Sequence, residues 1–155
     1  MNNRVKGDYQ AVLEQNGTLS FVPNGNSMWP FIKNRSQTVI IEKVKSPLKK
    51  YDVVFFKRAD QSYVLHRIVQ VLENEYVVRG DSLDYLEKVN NEQIIGVMTG
   101  FYKGKNLVSS SDEKYLKEVK KWYKNTPFTR FRIKCFNLSL RIKAKLKKIF
   151  SKKEK

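Results

Sequence analysis

DVVFFKRADQSYVLHRIVQV, residues 52–71, decides the architecture. Residues 53–56 are β-branched and aromatic, the side chains that suit a pleated, half-buried surface, so 52–57 reads as a strand. Residues 59–62, Ala-Asp-Gln-Ser, carry turn chemistry. Residues 63–71 then return as a second strand, so the stretch reads as an antiparallel hairpin. The same grammar extends outward in both directions. Upstream, 38–42 (TVIIE) is a short buried strand that Ser46-Pro47 breaks. Before it, 18–22 reads as a strand, preceded by an Asn16-Gly17 turn and a short helix over 8–14. Downstream, Glu73-Asn74-Glu75 turns into 76–79 (YVVR), which ends at Gly80-Asp81. Residues 94–102 (IIGVMTGFY) follow, and Gly104 turns into a last strand over 105–108. Short strands joined by close turns predict a mainly β, antiparallel body.

The pattern changes after residue 110. Ser110 with Glu113 three residues later has the form of a capping box. Tyr115, Val119 and Trp122 follow at helical spacing, and Asn125-Thr126-Pro127 ends that helix. From 128 to 150, apolar residues at 128, 131, 135, 138, 142, 146 and 149 form a helical stripe among Lys and Arg. Residues 138–146 also alternate as a strand would. The excess of Leu, Lys, Arg and Ala over β-branched residues favours helix. Two regions are therefore expected: a β domain over 1–110 and a basic helical extension over 111–155.

Charge separates these regions more sharply than hydropathy does. The chain carries +16, and 16 Lys/Arg against 4 Asp/Glu fall in 112–155. Such a tail favours an anionic partner. No base-reading motif accompanies the charge, which argues against nucleic acid. Two readings fit a basic amphipathic helix over 128–150: it reaches an anionic membrane surface, or it packs on the body through its apolar stripe and leaves a solvated basic face. No apolar run long enough to span a bilayer appears, and MNNRVKGDYQ has none of the apolar core of a signal peptide. These features predict a protein that is cytoplasmic or peripheral at a membrane. The single cysteine, Cys135, excludes an intrachain disulfide.

The chemistry-bearing residues are few. Ser27 sits in GNSMWP, after Gly25-Asn26 and before Met28 and Pro30. Gly25 and Asn26 permit a tight turn, with the left-handed conformation open to both. A serine hydroxyl is a poor nucleophile without a base in reach. The chain has one histidine, His66, on the returning strand of the hairpin. Asp81 or Asp84, after the next strand, would be placed to orient its ring. Taken singly, each has a bland alternative: a core histidine, a loop serine, a Gly-Asp turn.

Taken in order, the segments GNSMWP, DVVFF, YVLHRIV, VVRGDS and IIGVM resemble the S24/S26 serine peptidases, the signal peptidase I and LexA-type superfamily. The resemblance covers about residues 18–102, most of the β body. VLHRIV is similar to the histidine branch, found in archaeal and endoplasmic-reticulum type signal peptidases, rather than the lysine branch. The resemblance implies a signal-peptidase/LexA-like β fold and a serine endopeptidase acting on a leader or signal segment. Ser27 would be the nucleophile and His66 the general base. Asp81 of the Gly-Asp box ranks first as the acid, with Asp84 second. The N–H groups of Ser27 and Asn26 would bind the oxyanion, because Gly25 lacks a hydroxyl that bacterial relatives supply. Met28 and Pro30 would wall the cleft, and an extended peptide would lie along a sheet edge. No metal or cofactor is implied, and Lys57 is not placed to act as base. Tyr51 replaces the glycine usual before Asp52, which puts a turn under strain. The rival readings are a LexA-like self-cleaving regulator, against which no DNA-binding domain is read before the β body and residues 1–16 leave little room for a self-cleavage site, and a non-hydrolytic binding module on the same fold.

Overall fold

Asp8 caps the first helix: its carboxylate accepts the N–H groups of Gln10 and Ala11 at 3.1 and 3.4 Å. The computed structural model describes residues 8–124 and 126–153. The N-terminal segment read as lacking a signal peptide lies mostly outside these residues, as does Asn125 of the expected helix break. Helix α1, Tyr9–Asn16, ends at Gly17, whose φ of 71° lets its N–H reach back to Leu13 O.

Eight strands follow among the described residues: β1 (Thr18–Phe21), β2 (Val39–Glu42), β3 (Val53–Lys57), β4 (Tyr63–Val71), β5 (Glu75–Arg79), β6 (Glu87–Asn90), β7 (Ile94–Lys103) and β8 (Asn106–Ser109). They form one sheet in the order β1-β2-β7-β3-β4-β5-β6, with β8 added beside β7. Every pairing is antiparallel. The body is thus mainly antiparallel β, as the strand grammar predicts.

The hairpin at residues 52–71 is the centre of this sheet. Its loop closes with Gln61 N–H on Arg58 O, while Arg58 N–H bonds Ser62 O. Asp60 accepts from both the N–H and the hydroxyl of Ser62. Val53, Val54, Phe55 and Phe56 of β3 are all buried, so this strand is covered on both faces. One face contributes Val54 and Phe56 to a cluster with Leu48, Ile68, Val78 and Val89. Each such side chain adds about 1.5–3 kcal/mol on burial. Register slips between Ile40 and Ile41, Phe55 and Phe56, and Ile68 and Gln70 bend the sheet.

Strand β6 was not expected from the sequence. EKVN offers one apolar residue, Val89, and its pairing with β5 rather than propensity makes it a strand. The expected capping box is also replaced. Asp112 caps α2 (Glu113–Lys124), accepting the Tyr115 N–H at 2.8 Å. A carboxylate held at the helix start does this better than the more distant Ser110.

The chain divides into two compact units between Lys117 and Glu118. Residues up to 117 belong with the sheet because Tyr115 does. Its ring packs edge-on against Phe31 and Phe101, and its hydroxyl meets Arg67 at 2.9 Å. In the second unit, α3 spans Thr126–Lys153, with Pro127 in its first turn. Thr129 Oγ donates to Trp122 O at 2.6 Å, and Arg132 lies over the Trp122 ring. Residues 138–146 are helical, not strand.

Candidate active site

Ser27 lies in the connection between β1 and β2, a stretch stitched together by short polar side chains. Asn34 Oδ1 accepts the Gly25 N–H at 3.0 Å, and Asn24 Oδ1 accepts from Arg35 Nε at 3.0 Å. Trp29 N–H bonds Asn26 O, and Ile32 N–H bonds Met28 O, so the chain turns tightly around Ser27. The Trp29–Pro30 peptide is cis. The turn is not left-handed. Positive φ occurs at Gly17, Arg35, Tyr51, Gln61 and Gly104 among the described residues, and neither Gly25 nor Asn26 is among them. The side-chain bonds from Asn24 and Asn34 do the shaping that a left-handed glycine would otherwise do.

The Gly80-Asp81-Ser82 turn grips this loop from behind. Ser82 N–H donates to Ser27 O at 2.8 Å, and Ser82 Oγ donates to Asn26 O at 2.7 Å. Gly80 makes the approach possible. A Cβ there would stand 2.9 Å from Ser27 O and 2.7 Å from Leu83 Cδ1. These bonds consume the carbonyls of Asn26 and Ser27 and leave their N–H groups without a partner among the described residues. Two neighbouring free N–H groups are the equipment an oxyanion needs.

His66 is 2% exposed, on β4 opposite Val54. It borders the same cavity as Ser27, a space of about 310 Å³ also lined by Met28, Leu65, Leu83 and Tyr85. Of the two residues expected to wall the cleft, Met28 lines it and Pro30 does not. No hydrogen bond joins the Ser27 hydroxyl to His66 among the described residues; they share the cavity.

The carboxylate facing His66 is Glu87, at the start of β6. His66 Nδ1 stands 3.0 Å from Glu87 Oε1. The contact is a close approach off the N–H axis rather than a well-aligned hydrogen bond. Glu87 is itself clamped by Arg58, Nε to Oε2 at 2.7 Å and Nη2 to Oε1 at 2.6 Å. With Nδ1 facing Glu87, Nε2 is the ring nitrogen left to take up a proton. Burial pushes the imidazole below its ordinary value; Glu87 and Asp81 oppose that, and Arg58 adds to it. The ring is therefore neutral at pH 7 and able to accept a proton.

Asp81, ranked first as the acid, is placed otherwise. Successive side chains alternate across a strand, so His66 and Arg67 face opposite sides of β4. Asp81 pairs with Arg67: Nε to Oδ1 and Nη2 to Oδ2, both 2.8 Å, with both side chains 0% exposed. Arg67 Nη1 also donates to Tyr51 O at 3.0 Å, and its guanidinium stacks over Phe31. This pair ties β4, the Ser27 loop and Tyr115 together. Tyr51 holds φ of 81°, the backbone position where the sequence signalled strain, and Arg67 pins its carbonyl. Asp84 is exposed. Burial raises the Tyr115 hydroxyl above its usual range.

Glu87 and Ser82 were missed by sequence reasoning. Ser82 follows the Gly-Asp pair directly, and its small hydroxyl was legible as a turn residue. Glu87 carried no signal, because β6 could not be read as a strand. Comparisons with models of known families and with curated proteins found no match for this chain.

Proposed function

We propose that this protein is a serine endopeptidase of the S24/S26 type, built on a signal-peptidase/LexA-like β fold and using a Ser27–His66 pair. The observation that carries the reading is the meeting of one serine and the chain's one histidine on one cavity, with a carboxylate behind the ring. His66 Nε2 would take the proton from Ser27 Oγ as the oxygen attacks a peptide carbonyl. The oxyanion would sit against the free N–H groups of Asn26 and Ser27. His66 would return the proton to the leaving amine, leaving an acyl-enzyme, and water activated by the same ring would release the acid. Glu87 would favour the imidazolium formed in each half. Catalytic hydrogen bonds often tighten only once substrate is bound, which fits the shared cavity without a direct bond.

The sheet supports an extended substrate. Ile68 N–H bonds Asp52 O and Arg58 N–H bonds Ser62 O, so the even residues of β4 bond β3. Antiparallel alternation then turns the backbone groups of Tyr63 and Leu65 to the opposite edge. There β5 pairs β4 only from Arg67 onward. The edge at residues 63–65 runs beside the cavity and can accept a peptide strand. The physiological substrate would be a protein with an extended leader or signal segment. The test is a comparison of protein N-termini in cells carrying wild-type or Ser27→Ala protein. Proteins that keep their leaders only in the Ser27→Ala cells support the proposal. Indistinguishable N-termini, with equal turnover of a leader peptide by the two purified proteins, end it.

A further inference from the structure

Helix α3 has two apolar faces, and one of them is uncovered. Thr129 and Ile133 are buried, and Phe136 and Leu140 are half-buried, on one side of the helix. Residues 128, 131, 135, 138, 142, 146 and 149 lie on the other side, within an arc of about 80° at 3.6 residues per turn. The large apolar residues in that arc, from Phe128 to Ile149, are 47% to 64% exposed, and Cys135 is exposed with them. An unbroken stripe of this size on a helix is not a scatter of single surface residues.

The charges define what fits the stripe. Arg132 and Lys143 flank it on one side; Lys134, Arg141 and Lys145 flank it on the other. Residues 126–153 contain no Asp or Glu. No helix among the described residues is long and apolar enough to cross a membrane. We propose that this face of α3 docks on the surface of an anionic lipid bilayer, with the helix lying in the plane of the interface. The Phe, Leu and Ile side chains would sit below the headgroups, and the flanking Lys and Arg stems would lift their charges to the lipid phosphates. A nucleic-acid backbone would satisfy the charges but leave the apolar stripe in water, so the stripe selects lipid. The inference stands apart from the peptidase proposal, since vesicle binding is read without turnover.

Cys135 lies inside the stripe and is the only cysteine, so it gives a site-specific reporter. The full chain, labelled there with an environment-sensitive fluorophore, is titrated with phosphatidylcholine vesicles and with vesicles containing about one-third phosphatidylglycerol. The expected result is tight binding and a blue shift with acidic vesicles alone, weakened by added salt. The quadruple change Arg141→Gln, Lys143→Gln, Lys145→Gln and Lys148→Gln should weaken binding on the order of 10²-fold or more, at about fivefold per charge. The triple change Leu138→Ser, Ile142→Ser and Leu146→Ser, at exposed sites, should keep the helical circular dichroism, remove the blue shift and weaken binding at least about tenfold. Ser27→Ala should bind as wild type does. Equal binding to neutral and acidic vesicles, or a Ser variant that binds and blue-shifts like wild type, would overturn the proposal. So would a duplex oligonucleotide that binds wild type and the Ser variant alike and displaces both from acidic vesicles.

Discussion

Replacing Glu87 by Gln removes one charge from behind His66 while keeping the shape of the side chain. The imidazole is 2% exposed and Nδ1 is 3.0 Å from the carboxylate oxygen. Unit charges about 4 Å apart attract by about 4 kcal/mol at an effective dielectric of about 20. Two features reduce this. Arg58 already shares both carboxylate oxygens, and the Glu87 side chain is 21% exposed. About half of the attraction, roughly 2–3 kcal/mol, should remain available to the imidazolium that forms in the transition state. At 1.36 kcal/mol per tenfold, kcat should fall about 30- to 150-fold. The sign of the pH effect is also determined. Glu87 favours the charged ring, so its loss lowers the His66 pKa further and moves the acid limb of kcat/KM to lower pH. The assay is a pH–rate profile on a leader peptide for wild type, Glu87→Gln and Asp81→Asn, each checked for folding by thermal melting. A Glu87→Gln enzyme within about threefold of wild type, with an unmoved acid limb, would refute the reasoning.

The wild-type acid limb itself should lie below about pH 6.5, since burial lowers the His66 pKa from its ordinary value; a limb above about pH 8 would exclude imidazole as the base. The same depression links to stability: the unfolded chain takes up a proton near pH 6.5 that the buried ring refuses, so denaturant midpoints should fall as pH drops below that value. Asp81→Ala leaves Arg67 charged and 0% exposed, and should destabilise the β unit by about 3–5 kcal/mol in urea unfolding; a loss under about 1 kcal/mol would contradict the buried pair. Gly80→Ala forces a Cβ to within 2.9 Å of Ser27 O and should lower kcat/KM at least about tenfold, with about 1–3 kcal/mol of destabilisation. Normal kinetics in that variant would mean that the Ser82 grip does not position the serine.

Side-chain type and spacing determined most of the sheet. The runs at 52–57, 63–71 and 94–102 are rich in β-branched and aromatic residues, and local propensity agreed with pairing there. Ser27 and His66 stand out as polar residues in apolar or glycine-marked company, but only the resemblance of the ordered segments to the S24/S26 peptidases pairs them. Helix α3 followed from its period, although residues 138–146 also alternated. The tertiary structure decided what depends on neighbours distant in sequence. EKVN became a strand only because β5 offers it a ladder, and that pairing alone brings Glu87 behind His66. Position after the next strand leaves Asp81 and Asp84 equal and the Gly-Asp box favours Asp81 for the histidine, yet alternation across β4 sets His66 and Arg67 on opposite faces, and Asp81 meets Arg67. A carboxylate's partner is chosen by which face of the sheet it reaches and which cation is buried there. Linear spacing carries neither, because both are properties of register and packing.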